Sequence, residues 1–274
     1  MNTDTAFTIG SSHEICQDYT LSRTPGAEGT HMIICDGCSS SKMTDVGARL
    51  LALSADQLID ETGIGGITPA ILKMLETKYE YELKTNPYMF DSTLLIAKYP
   101  FDPTKNIISR IKYVSIDMMG DGVLVTKRKS GIIQAYNVVY PNGYPAYLSY
   151  SLDKYRKSGY LKIEPEGFVH THYNIYEKKY EITTLKKGIS FKSIFLVEDY
   201  EWITLFSDGV HSFVDIKTGE PVSFIEVITE LTNFKLFTGR FVQRRLNRFK
   251  KDCNILGWKY YDDLSMGTIY LGDN

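Results

Sequence analysis

The apolar run Met32-Ile33-Ile34-Cys35 is short, unbroken and halted by Asp36-Gly37, so it predicts a buried strand over 30–35 that delivers a carboxylate at its tip. Residues 5–10 predict a strand ahead of it. From about Thr44 to Thr62 the spacing turns helical, with Val46, Leu50, Leu51, Leu53, Leu58 and Ile59 as the stripe and Gly63 as the stop. Thr68-Pro69 has the form of an N-cap and first helical position, opening a second helix through "AILKMLETKYEYEL". The period then changes to that of strands. "STLLIAKYP", "IKYVSID", "GVLVTKR" and "IIQAYNVVY" follow one another, separated by Gly-containing turns such as "MMGDG" and "KSG". "SIFLVED" and "WITLFSD" add two more strands. "PVSFIEVITELTNF" and "TGRFVQRRLNRFKKD" predict two helices, and "LSMGTIYLG" a last strand. Strands and hairpins enclosed by helices imply a layered α/β or α+β fold rich in antiparallel sheet.

No Pro/Gly/Ser-rich linker, repeat or low-complexity tract divides the 274 residues, which predicts a single domain over 1–274. Hydrophobic residues at 43% and charged residues at 23% suffice for a sizeable core. A net charge of −2 argues against a general nucleic-acid binder, because phosphate-backbone affinity needs clustered Lys and Arg. "MNTDTAFTIG" lacks the form of a signal peptide, and no apolar run has the length of a membrane span. The expectation is a soluble, cytoplasmic protein without membrane association. Four cysteines do not make a disulfide framework. Cys35 and Cys38 form a C-x-x-C, but no second pair or paired His completes a zinc set, and free cysteines also serve as small core hydrophobes.

The strand-then-acid pattern recurs. Asp208-Gly209 ends "ITLFSDG", Asp121 sits in a Gly-Asp-Gly turn, Asp262 and Asp263 precede the last strand, and Asp18 lies in "CQDYTLS". Each alone reads as a turn residue. Together they predict carboxylates gathered at one rim of a β-core, a self-repelling set suited to Mg²⁺ or Mn²⁺.

The ordered set "SSHEICQDY", "ICDGCSSSKMTDVGARLLALSA", "DSTLLIA", "GDGVLV", "LFSDGV" and "DDLSMGTIYL" resembles the metal-dependent protein phosphatases of type 2C, in a bacterial variant. The resemblance runs from about Gly10 to Leu271. It implies a four-layer α-β-β-α sandwich, of α+β class, with two central antiparallel sheets flanked by helices. It also implies hydrolysis of phosphoserine and phosphothreonine in a protein substrate, opposing a serine/threonine kinase. By position, Asp36 is similar to the carboxylate that bridges two metals, with the Gly37 carbonyl on one of them. Asp208 and Asp262 are similar to ligands of the other metal. Asp18 matches an acid that holds metal-bound water, and Asp121 one associated with a third, looser ion. Two such metals activate a bridging water and clamp phosphoryl oxygens, so no covalent protein nucleophile is needed.

Three positions depart from the family pattern. Gln17 stands where a Glu is usual, and Cys38 where His or Met is common. His13 stands where an Arg grips the substrate phosphate; it could take over that grip or protonate the leaving alkoxide. These departures keep a second class of function open, a partner-binding pseudophosphatase, beside a third, hydrolysis of small phosphate esters. His170 and His172 could share one strand face, a surface arrangement without a third ligand. The basic helix with Arg240, Arg244, Arg245, Arg248, Lys250 and Lys251 reads as amphipathic with a solvated face. The tyrosine-crowded stretch 136–180 reads as an irregular β-rich excursion or a substrate-recognition flap.

Overall fold

Alternation along the strands explains how the layers form. In the computed structural model, residues 1–24, 29–77, 86–99, 112–165, 167–175, 177, 179–186 and 190–272 are described, without the side chains of 60–69 and 179–186. The strands are β1 (Asn2–Thr8), β2 (Tyr19–Arg23), β3 (Thr30–Cys35), β4 (Leu94–Tyr99), β5 (Tyr113–Met119), β6 (Gly122–Arg128) and β7 (Ile133–Val139). They continue with β8 (Phe168–Asn174), β9 (Lys179–Lys186), β10 (Ser190–Leu196), β11 (Tyr200–Phe206), β12 (Phe213–Asp215), β13 (Trp258–Tyr260) and β14 (Leu264–Tyr270). A seven-stranded sheet has the order β1-β14-β11-β6-β7-β8-β9, and a five-stranded sheet the order β10-β5-β4-β3-β2. Their pairings are antiparallel.

On β3, Met32 and Ile34 point between the sheets, into a core shared with Leu95, Leu124, Leu205 and Ile269. Ile33 and Cys35 point the other way, beneath helix α1 (Thr44–Thr77). Both faces are covered, which is why this strand reads as a continuous apolar run. Helices α3 (Phe224–Leu231) and α4 (Phe241–Leu256) cover the outer face of the larger sheet through Val227, Leu231, Phe241, Leu246 and Phe249. The result is an α+β fold of four layers, helix, sheet, sheet, helix, as expected.

Several local expectations change. The stop at Gly63 and the new start at Thr68-Pro69 do not occur: α1 runs through both. Interior Gly costs about 1 kcal/mol and Pro about 3 kcal/mol. The helix is held at both ends, since Leu51, Leu58 and Ile59 share a core with Ile71 and Leu75 beyond the breakers. Val46 and Leu53, predicted in its stripe, are exposed. The end of the predicted second helix, past Thr77, lies outside the described residues. The chain between β7 and β8 contains a helix that periodicity did not show, α2 (Lys154–Ile163). Asp153 caps it by accepting hydrogen bonds from the amides of Tyr155 and Arg156, at 2.7 and 3.3 Å. Among the described residues, no helix is long and apolar enough to cross a membrane.

Candidate metal and phosphate site

Asp36 and Gly37 do not form a tight turn. The Asp36 amide donates to Thr93 Oγ1 (3.0 Å), Thr93 returns a backbone bond to the Asp36 carbonyl (2.8 Å), and the Cys38 amide donates to the Asp91 carbonyl (2.8 Å). The β3–β4 pairing thus extends past the strand and holds the Asp36 backbone firmly. Gly37 is required by close approach: a Cβ there would lie 2.9 Å from Thr44 and 3.0 Å from the Gln17 carbonyl. Gly209, after Asp208, is tighter still, its Cβ falling 1.8 Å from the Asp263 carbonyl. In both Asp-Gly pairs the glycine lets another segment pass behind the acid. Asp121 sits between two glycines with positive φ, at the β5–β6 turn.

The strand ends bring the acids together. Asp18 is buried; its Oδ2 accepts from Ser207 Oγ at 3.0 Å, while its Oδ1 is buried without a hydrogen-bond donor. Burial first, then the charges of Asp263 and Asp208, push the Asp18 carboxyl up to about 7. Burial, then Asp18, Asp208 and Asp121, hold Asp36 well above the usual carboxylate range. Asp121 is pushed up to about 7 by burial and then by Asp208 and Asp262. Asp262 is raised by burial and then by Asp208. Asp18, Asp36, Asp121, Asp208 and Asp262 therefore form one electrostatic neighbourhood. Among the described residues, however, no three His, Cys, Asp or Glu side chains already stand around a single metal-sized point. The cluster is gathered but not closed.

Oxygen-only donors, half-buried apart from the buried Asp18, mutually repelling and including an orphaned carboxylate oxygen, fit hard divalent cations such as Mg²⁺ or Mn²⁺. Zinc is a poor match. Cys35 packs in the core under α1, and Cys38, partly exposed, lies 3.1 Å from Ser40 Oγ; both are free thiols.

The departing residues have definite placements. Gln17 turns its amide to Thr44 Oγ1 (2.7 Å) at the start of α1. His13 faces carboxylates with both ring nitrogens: Nε2 is 3.5 Å from Asp262 Oδ1, and Nδ1 is 3.1 Å from Asp263 Oδ1 without hydrogen-bond alignment. His170 and His172 lie away from this cluster, the first against Phe191 (5.2 Å between ring centres) and the second stacked on Tyr136 (4.7 Å).

Three neighbours of the cluster have no role of their own in the sequence pattern, although Asp263 belongs to the strand-then-acid set. Asp263 accepts from the amides of Gly10 (2.8 Å) and Gln17 (2.6 Å), tying the 10–17 loop to the start of β14. Ser207 links Asp18 to the Ser265 amide, which donates to its hydroxyl at 3.0 Å. Tyr147 comes from the tyrosine-rich stretch; burial first, then Cys38, Asp121 and Asp36, raise its hydroxyl far above the usual tyrosine range. Only the adjacency of Asp263 to Asp262 and of Ser207 to Asp208 hinted at the first two.

The architecture has counterparts among solved structures. A bacterial serine phosphatase carrying a point mutation superposes with a TM-score of 0.57 at 14% identity, over 100% of this chain and 99% of its own. Serine/threonine phosphatase Stp1 from Staphylococcus aureus gives 0.57 at 12% identity, over 100% and 96%. The fold is that of bacterial type 2C phosphatases. The PP2C domain of SpoIIE from Bacillus subtilis shares this phosphatase fold, with a TM-score of 0.54 at 11% identity over 98% of this chain and 63% of that one. No family model and no curated protein matches the sequence.

Proposed function

We propose that this chain is a divalent-metal-dependent protein phosphatase that hydrolyses phosphoserine or phosphothreonine in a protein substrate. The observation that carries the reading is the convergence of Asp18, Asp36, Asp121, Asp208 and Asp262 from five separate segments into one self-repelling cluster, buried at Asp18 and half-buried at the others. Such a cluster is costly without cations.

Asp36, with the Gly37 carbonyl, would be the shared ligand of two Mg²⁺ or Mn²⁺ ions; Asp208 and Asp262 would complete one ion's set, and Asp121 would serve a looser third. When bound, the ions supply an activated water and neutralise phosphoryl charge. The chain's own residues do the positioning. Ser207 fixes Asp18 through its Oδ2 and leaves Oδ1 turned inward. Asp263 anchors the loop that carries His13. His13, at the rim beside Asp262, would meet the substrate phosphate in place of an arginine.

A second reading, a pseudophosphatase that binds phosphorylated partners, draws on Gln17, whose amide is bonded to Thr44 and adds no charge to the cluster. Titrating Mn²⁺ against hydrolysis of an aryl phosphate and of a phosphothreonine peptide separates the two. The phosphatase reading expects turnover on both, abolished by chelator. Peptide binding without turnover at saturating Mn²⁺ would establish the second reading instead.

A further inference from the structure

Beside the carboxylate cluster lies a groove of opposite charge. It has a volume of about 600 Å³ and runs between the 9–11 segment, the C-terminal half of α4 and β13. Lys250, Lys251 and Lys259 line it, and no Asp or Glu does. Lys250 Nζ donates to Thr8 Oγ1 at 2.8 Å, and Lys259 Nζ lies 5.0 Å from the centre of the Tyr261 ring. Among the described residues, none of the three ammonium groups pairs with a carboxylate. A second hollow on α4 differs: two of its four cations, Arg245 and Arg248, are paired with Glu230 and Asp252, which also line it, whereas no carboxylate lines the lysine groove.

The groove is tied to the candidate site by the chain itself. Ser11 Oγ donates to the Tyr260 carbonyl at 2.8 Å and Ser12 Oγ to the Tyr261 carbonyl at 2.5 Å, so one wall is fastened to the segment that leads into Asp262. Lys259 precedes Asp262 by three residues, which limits their Cα separation to about 11 Å at 3.8 Å per step. An extended peptide advances about 3.3 Å per residue. A side chain three or four positions from a phosphoresidue held at the cluster therefore reaches the groove. Partly buried Trp258 and Tyr260 supply apolar surface for the peptide to lie on.

We propose that this lysine groove docks an acidic stretch of the substrate, within about three to four residues of the phosphorylated position. The inference rests on the phosphatase reading and adds a substrate class to it. It also has an electrostatic rationale. The chain is net negative and its site is built from carboxylates, so an acidic substrate is repelled unless cationic side chains at the rim attract it.

The test uses the full chain and a Lys251→Glu/Lys259→Glu variant, both positions being exposed. Turnover is measured on an aryl phosphate and on two phosphothreonine peptides, one flanked by Asp/Glu and the other by Lys. KM for the acidic peptide should rise about tenfold or more, roughly 1.4 kcal/mol, while kcat and aryl phosphate hydrolysis stay near wild type. The Lys-flanked peptide should not lose. In parallel, fluorescence anisotropy of the labelled acidic phosphopeptide, in chelator, should show the same loss of affinity without needing turnover. Unchanged anisotropy, or equal losses on both peptides, overturns the proposal. So does tighter binding of a single-stranded oligonucleotide to the same lysines. Absence of wild-type turnover on all three substrates defeats the phosphatase reading alone, because the anisotropy still decides the groove.

Discussion

Asp36 is held above the usual carboxylate range by burial and then by the charges of Asp18, Asp208 and Asp121. Asp36→Asn should therefore remove most phosphatase activity, measured at saturating Mn²⁺, and yet stabilise the metal-free protein by relieving repulsion. A gain of about 1 kcal/mol corresponds to ~2–4 °C in Tm for a chain of this size class. Wild-type turnover would take Asp36 out of the site, and a collapse of folding would return it to a purely structural role. His13 calls for a different readout. As the phosphate grip, His13→Gln should weaken aryl phosphate and phosphopeptide alike, mainly through KM. A defect confined to the phosphopeptide would show instead that the imidazole protonates the alkoxide leaving group.

At the scale of elements, two ion pairs fasten helices in place, one beside the site and the other at the far ends of β2 and β3. Arg156 of α2 donates to both oxygens of buried Asp91 at 2.8 Å, and Ser149 and Ser41 donate to the same carboxylate at 2.5 and 2.8 Å. The guanidinium also lies 4.0 Å from the Tyr88 ring centre and 4.9 Å from that of Tyr150. Asp91 holds Cys38, so this pair latches the 148–163 segment against the Asp36 loop. Arg156→Ala leaves a buried carboxylate uncompensated, a loss of about 3–5 kcal/mol. Amide exchange across 148–163 should accelerate while that of α4 stays unchanged; uniform acceleration would mean that there is no separate latch. The second pair anchors α1. Asp56 accepts from Arg23 Nε and Nη2 at 2.7 and 2.6 Å and from His31 Nε2 at 2.8 Å. Burial alone would raise its carboxyl, but the hydrogen bonds and charges of Arg23 and His31 hold it below its ordinary value. Its contribution is therefore present above the unfolded pKa and lost as pH falls through the folded one, in the acid range. Asp56→Asn should lower Tm at pH 7, with the deficit shrinking towards pH 3. An equal deficit at both pH values would assign the loss to packing.

Over the whole molecule, the raised carboxyls set the opposite pH slope. Asp18 and Asp121 at about 7, with Asp36 and Asp262 also raised, bind more protons folded than unfolded. Their contribution to stability is full below the unfolded value near 4 and is lost as pH rises through about 7. Metal-free protein should therefore lose Tm between pH 5 and 7.5, and saturating Mn²⁺ should flatten or reverse the slope by binding the ionised forms. Identical slopes with and without metal would separate the cluster from metal binding.

The sequence by itself marked β1, β3 to β7, β10, β11 and β14 and most of their helical covers, because a period of two with fully apolar runs at β3 and β4 has few other readings. Strands β2, β8, β9, β12 and β13 lack such runs and were not legible in it. It also marked Asp36, Asp121 and Asp208, since an acid beside glycine at a strand tip is a local pattern. The continuity of α1 was not legible: Gly63 and Pro69 are local breakers, and only the shared core of Leu58, Ile59, Ile71 and Leu75 overrides them. Helix α2 was hidden because its tyrosines serve buried and exposed faces alike, Tyr160 inside and Tyr155 outside. The partners of the cluster belong to tertiary structure alone. Ser207 meets Asp18 across 189 residues and Asp263 meets Gly10 across 253, separations at which no local pattern carries information. The same holds for the lysine groove, whose positive face exists only because α4 is laid beside β13 and the 9–11 segment.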